Sequence, residues 1–148
     1  MSLFAAAGIY VVLDVNAAGN FMYSINIQEP YTSYNLGYMT NVLSVVEEFS
    51  GYPNLLGFIA GNELANTQAE ATLTAPYIRA IQRDIRQYIS LHVDREIPVG
   101  YAATDQIDIR SDLAYYLDCV SDDNGQSDFY GLNQVATLCP QTEPMLTV

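Results

Sequence analysis

Four apolar runs in this 148-residue chain each lead into a side chain able to do acid–base or hydrogen-bond chemistry. IYVVLDV carries Asp14, LLGFIA runs into Asn62 and Glu63, PVGYAA leads to Asp105, and FYGLN ends on Asn133. Asn62-Glu63 is the sharpest of these. A carboxyl on a strand exit beside an apolar wall loses hydration of its charged form. The neutral form can then protonate a leaving glycosidic oxygen near neutral pH. The adjacent amide of Asn62 can bond a sugar 2-hydroxyl, a contact that strengthens in the transition state. The competing reading is a Glu that caps the following loop or pairs with an Arg. Asp14 and Asp105 can bind sugar hydroxyls, or one of them can supply the second carboxylate that glycosidic cleavage needs. They can equally serve as N-caps or solvated rim charges. Asn133 is either a turn residue or a ligand contact. Tyr101 sits mid-run and is expected to point inward or toward the rim, where a ring with a polar tip suits stacking on sugar.

Other chemistries find no residues. The single histidine, His92, follows a helical segment and fits a C-terminal dipole partner; no Ser-His-Asp set can be built around it. Two cysteines, Cys119 and Cys139, form no CxxC or Cys/His cluster, so no metal site is expected. No GxGxxG or GxxxxGK[ST] follows any apolar run, and no cofactor is expected. Five Arg and no Lys against 17 acids give a formal charge of −12. That balance excludes nucleic acid and anionic membrane surfaces as natural partners, since both select basic patches. A neutral polymer is not repelled.

The elements that must position these groups alternate. Residues 9–15, 55–60, 98–103 and 129–133 read as strands; the near-continuous apolar content of the first two fits strands buried on both faces. Between them, residues 36–50 have a helical stripe of Met39, Leu43, Val46 and Phe49, stopped at Gly51. Thr74 is a candidate N-cap with Pro76 in the first turn. Ile78, Ile81, Ile85 and Ile89 then form a stripe, with Arg79, Arg83 and Arg86 on the wet side. Residues 110–118 read as a short helix and 16–35 as a loop. Strand, helix, strand, helix, strand, helix, strand predicts an α/β fold with a parallel sheet. In such folds ligands bind at the carboxyl ends of the strands, where all the polar residues above fall. Residues 3–13 are apolar but lack a basic leader segment and a small-residue cleavage pattern, and are too short to cross a bilayer.

Four segments carry a resemblance to glycoside hydrolase family 72, the fungal β-1,3-glucanosyltransferases that remodel cell-wall glucan. AGIYVVLDV (7–15) resembles that family's third barrel strand, and GYPNLLGFIAGNE (51–63) its fourth strand with the acid/base Glu. APYIRAIQRDIRQYI with IPVGYAATD (75–105) resembles the next helix and fifth strand, and DFYGLN (128–133) the sixth. The resemblance covers residues 1–139, with 140–148 a divergent tail. It implies a partial (β/α)8 TIM barrel, about strands three to six with their helices. It also implies a retaining transglycosylase acting on β-1,3-glucan, without cofactor or obligate protein partner. Glu63 is then the acid/base, Asn62 supports the sugar and Asp14 sits in the donor cleft; Tyr101, Asp105 and Asn133 are further candidate substrate contacts. Family members are held by a GPI anchor at the extracellular face of the plasma membrane or in the cell wall.

The departures are specific. The family's nucleophilic Glu lies on a later strand, outside these 148 residues. A cleft Tyr expected after Asn133 is replaced, at about Val135. Ile27 stands where the family has an Arg, and Cys119 and Cys139 resemble cysteines that pair elsewhere in full-length members. Four strands cannot close an eight-stranded barrel, so this stretch alone is expected to be inactive and prone to aggregate. The alternatives from other classes are a glucan-binding fragment without turnover and a different barrel hydrolase.

Overall fold

The computed structural model describes residues 1–16, 24–119 and 125–133. A short helix α1 (Ser2–Ala6) precedes strand β1 (Val11–Asp14), and one turn, α2 (Pro30–Ser33), leads into helix α3 (Leu36–Ser50). Strand β2 (Leu55–Asn62), the 25-residue helix α4 (Gln68–His92) and strand β3 (Val99–Thr104) follow. Helix α5 (Ile107–Ala114) runs into a π-helical turn at Tyr115–Cys119, and the last described element is strand β4 (Tyr130–Asn133). The four strands make one parallel sheet in the order β1-β2-β3-β4. Each strand lies beside its predecessor in sequence, and the order never reverses. A doubly wound sheet reverses at a switch point, whereas a barrel adds one βα unit at a time in one direction. The expected partial (β/α)8 barrel is the architecture observed.

Helix α3 starts and stops where its residues dictate. Asn35 Oδ1 accepts the Tyr38 N–H at 3.1 Å, satisfying an otherwise unpaired donor. Its buried positions are Tyr38, Val42, Val46 and Ser50, so the inner stripe is turned from the expected one; Met39, Leu43 and Phe49 flank it, half-buried. Helix α4 is capped seven residues before the expected N-cap, Thr74. Its cap is Thr67, whose Oγ1 accepts the Glu70 N–H at 3.2 Å, while Glu70 Oε2 accepts the Asn66 N–H at 2.8 Å. Pro76 consequently sits inside the helix, and Thr74 is fully buried with its hydroxyl on the Glu70 carbonyl.

The Ile stripe does what its spacing predicts. Ile78, Ile81 and Ile85 are fully buried between α4 and the sheet, against Phe58, Val99 and Leu117. Each such side chain contributes about 1.5–3 kcal/mol by leaving water. Arg79 is not on the wet side. It is 5% exposed, its Nη1 donates to the Tyr116 carbonyl at 2.7 Å, and its guanidinium lies 5.4 Å above the Tyr116 ring. Arg86 pairs with Asp128 at 2.8 Å, tying α4 to the segment before β4.

Register decides which residues share a face, because paired residues of parallel strands point the same way. Leu13, Phe58 and Val99 are paired in line, as are Tyr101 and Tyr130; this side packs on the helices. Val12 and Gly57, then Asp14, Ile59 and Gly100, and at the carboxyl end Thr104 and Asn133, occupy the open side. The β2–β3 ladder advances three residues on β2, Ile59 to Asn62, for two on β3, Gly100 to Ala102. This bulge re-aims the end of β2. In an unbroken ladder Asn62 would face the helices; the extra residue turns it to the open side, level with Ala102. At the other end of the strands the open side carries a cavity of about 1060 Å³ lined by Val12, Leu56, Pro98 and Phe129 among others. There the Phe129 ring lies across Gly100, where a Cβ would meet ring carbons at 2.6 and 2.7 Å.

Candidate active site

Asn62, Glu63 and Asn133 converge at the carboxyl edge of the sheet. Asn133 Nδ2 donates to Asn62 Oδ1 at 2.8 Å and to Glu63 Oε1 at 2.9 Å. Strand β4 therefore reaches across β3 to hold a carboxylate on β2, even though 70 residues separate Asn133 from Glu63 in sequence. Both amides are exposed and the Glu63 side chain is half-buried, so the group faces the open side. Ion pairs join Arg83 to Asp84, Arg86 to Asp128 and Arg110 to Asp105, while Glu63 is held by Asn133.

Glu63 adopts φ 50°, the one left-handed non-glycine backbone among the described residues. Its surroundings impose this conformation. Its N–H donates to the Ala102 carbonyl at 2.8 Å, prolonging the ladder, and its carbonyl accepts from Asn66 Nδ2 at 3.2 Å. The next N–H, of Leu64, donates to the Tyr101 hydroxyl at 2.9 Å. The Leu64 side chain folds back over Gly61, where a Cβ would stand 2.5 Å from Leu64 Cδ1. Gly61 is a glycine because this close approach leaves no room for a side chain. Left-handed backbone at a polar strand exit is a place where strain and function coincide.

Asp14 shares the open side on β1. Burial pushes its carboxyl above the ordinary value of 3.8, and hydrogen bonds from Asn16 pull partly back. The Asn16 N–H reaches Asp14 Oδ1 at 2.8 Å. Asn16 is itself buried, its Nδ2 donating to the Ala60 carbonyl at 2.5 Å and its Oδ1 accepting from the Tyr38 hydroxyl at 2.5 Å. Tyr38 is pushed well above the ordinary phenol range by burial and by the neighbouring Asp14. Asn16 thus links the exit of β1, the end of β2 and helix α3. Neither Asn16 nor Tyr38 was marked by sequence reasoning, although Tyr38 begins the four-residue spacing 38, 42, 46 that defines the inner stripe of α3.

Two expected site residues fall elsewhere. Tyr101 is fully buried on the helix-facing side of β3, its ring centroid 6.0 Å from that of Tyr130, whose hydroxyl donates to the Arg110 carbonyl of α5. The parity it shares with Val99 and Ala103 sends it away from the open side, so it lies beneath the site rather than in it. Asp105 is bound by Arg110 Nη1 in the first turn of α5. That contact meets the rim-charge alternative, and its side chain stays partly exposed. Among the described residues no group of three or more His, Cys, Asp or Glu converges as a metal site, and no helix is long and apolar enough to cross a membrane. Cys119 is exposed and has no disulfide partner among the described residues. Cys139, Val135 and the tail 140–148 lie outside the described residues.

A carboxyl held by an amide, a second amide beside it and a further carboxyl on the same face form a set suited to protonating and grasping a sugar linkage. Comparison with known proteins agrees. The glucanosyltransferase family model matches residues 1–144. A probable 1,3-beta-glucanosyltransferase of Saccharomyces cerevisiae, GAS3, is 46% identical over 143 residues, covering 90% of this chain and 27% of its own. The 1,3-beta-glucanosyltransferase gel2 of Aspergillus fumigatus is 46% identical over 134 residues, covering 89% of this chain and 27% of its own. The structure of Saccharomyces cerevisiae Gas2p in complex with laminaripentaose superposes with a TM-score of 0.80 at 36% identity, over 90% of this chain and 28% of that one. The chain thus spans 27% of the length of each of these two curated relatives. With a family model over nearly its whole length and a barrel segment that superposes on a solved member, the chain belongs to the glucanosyltransferase family, glycoside hydrolase family 72.

Proposed function

We propose that the protein carrying this chain is a retaining β-1,3-glucanosyltransferase and that Glu63 is its acid/base. The observation that carries the reading is the Asn62–Glu63–Asn133 cluster at the carboxyl edge of a barrel sheet. In the first step a carboxylate attacks the anomeric carbon of a β-1,3 linkage. The bond to the bridging oxygen breaks, and Glu63 gives that oxygen its proton. The family resemblance assigns the attacking carboxylate to a later strand. In the second step a hydroxyl of an incoming glucan chain attacks the glycosyl ester, the carboxylate leaves and Glu63 takes back a proton. One linkage is broken and one formed, so glucan chains are lengthened rather than only shortened.

Asn62 supports the 2-hydroxyl of the donor sugar, Asp14 binds hydroxyls on the same face, and Asn133 keeps the Glu63 carboxylate in place. Asp105 stays paired with Arg110 and takes no sugar contact in this reading. The two relatives named as glucanosyltransferases and the laminaripentaose complex of Gas2p support β-1,3-glucan as the polymer. The reading places the protein at the cell wall or the outer face of the plasma membrane, through the family's GPI anchor.

The test is product analysis. Full-length protein incubated with reduced and unreduced laminari-oligosaccharides is expected to yield products both longer and shorter than the substrate, and Glu63→Gln to abolish both. Shorter products alone would replace the reading with a hydrolase. Binding without turnover, unchanged by Glu63→Gln, would replace it with a glucan-binding module.

A further inference from the structure

We infer that Tyr101 is a positioning residue for Glu63, acting through the backbone that follows it. The kinetic part of this inference rests on the glucanosyltransferase reading; the structural part does not.

Glu63 stands in a conformation that L side chains rarely adopt, and a Glu has no steric licence for it. Such a residue persists only where its neighbours over-determine it. Before Glu63, the ladder bond to Ala102 fixes the entering chain. After it, Leu64 is turned into the core, 4% exposed, so its N–H is buried and must be paired. The partner is the hydroxyl of Tyr101, at 2.9 Å. The Leu64 N–H thus closes on a phenol oxygen, and the next residue, Ala65, is itself fully buried. The phenol is anchored in turn: Tyr101 is fully buried, mid-strand, and packed against Tyr130 and the helix layer. Gly61 completes the enclosure by letting Leu64 fold over it, beside the Tyr101 ring.

The geometry separates two duties. Asn62, Asn133 and Asp14 face the open side and touch what binds there. Tyr101 faces the helices, and its hydroxyl bonds the turn. Removing its hydroxyl leaves the buried Leu64 N–H without its acceptor and releases the constraint on φ of Glu63. The Asn133 bond to the carboxylate, made across the strands, then holds a side chain whose backbone has moved.

The experiment is Tyr101→Phe in the full-length protein. Transfer on laminari-oligosaccharide is expected to lose about tenfold in kcat with KM changed less than twofold, since the binding face is untouched. First-turnover release from a laminari-oligosaccharyl fluoride, whose leaving group departs without a proton, is expected to lose less than twofold. A defect in protonation alone is spared by a leaving group that needs none. Equal losses on the two donors would mean general disruption and would overturn the inference, as would unaltered kcat. Gly61→Ala pushes the Leu64 side chain out of the same turn and is expected to give the same split; it decides the matter if Tyr101→Phe does not fold. If the wild-type protein transfers no glucan, the functional reading fails and the structural part is judged alone. A crystal structure of Tyr101→Phe is then expected to show Glu63 at negative φ. Retention of φ near its present value would overturn it.

Discussion

Replacing Asn133 by Ala in the full-length protein removes both hydrogen bonds that gather the Asn62–Glu63–Asn133 cluster, at 2.8 Å to Asn62 and 2.9 Å to Glu63. Both amides are exposed, so each bond is worth the lower part of the usual range, about 0.5–1 kcal/mol net for the neutral pair and about 1 kcal/mol for the bond to the carboxylate. The sum, about 1.5–2 kcal/mol, corresponds to a loss of roughly 10- to 30-fold in kcat/KM for glucan transfer. Because Asn133 bonds both partners with one nitrogen, its loss is coupled to theirs. A cycle of Asn62→Ala, Asn133→Ala and the double variant is expected to show a coupling of about 0.5–1 kcal/mol. Asn133→Asp makes a sharper comparison. It replaces the donor with an acceptor that carries the same charge as Glu63, and it is expected to fall below Asn133→Ala because the two carboxylates repel. Initial rates of chain elongation on laminari-oligosaccharides measure all four variants. Asn133→Ala within twofold of wild type, or additive single effects, would refute the claim that this amide organises the site.

Asp14 gives a pH-dependent stability change. Its folded value lies above 3.8, so the folded state holds the proton more tightly than the unfolded one. The associated stability is full below that value and is lost as pH rises through the raised one. Asp14→Asn is therefore expected to raise the melting temperature at pH 7 relative to wild type while leaving it unchanged at pH 3, and to lower transfer activity; a thermal shift series across pH reads the first effect. Gly100→Ala drives a methyl into the Phe129 carbonyl and ring, and that carbonyl accepts the Tyr101 N–H at 3.2 Å. The cost expected for overpacking is about 1–3 kcal/mol. Urea unfolding should show it, and Gly131→Ala, where the nearest atom is 3.7 Å away, should cost less.

What the sequence made legible was local. The bounds of α3 and the starts of β2 and β3 follow from apolar runs and from Asn35, Gly51 and Pro98, all of which act within a few residues. Asp14, Asn62, Glu63 and Asn133 could be marked because each follows such a run. The start of α4 was misplaced because Pro76 was taken as a first-turn residue, although Thr67 with Glu70 already spelled the cap. Arg79 looked solvent-facing because its position on the helix is read against an average environment. What covers it is the Tyr116 carbonyl and ring, 37 residues away in sequence. The face of Tyr101 and the aim of Asn62 were out of reach for a related reason. The first is set by which face of β3 the helices cover and the second by a one-residue bulge between β2 and β3, and register between strands is a property of the pair, not of either strand.

The sheet's unreversed order has a consequence for how the protein is made. Each of the described strands pairs with the one before it across one connection, so none of these three pairs waits for a strand synthesised much later. The ends of β2 and β3, at residues 62 and 104, emerge from the ribosome about 2–8 seconds apart at ordinary translation speed. That interval is ample for a helix of α4's length to form and dock. The nascent chain can thus lay down its barrel wall in the order in which it is translated, with one growing edge at a time left open to mispairing. Asn62 and Glu63 are in place on that wall before β4, which brings the Asn133 amide that bonds both, has been synthesised.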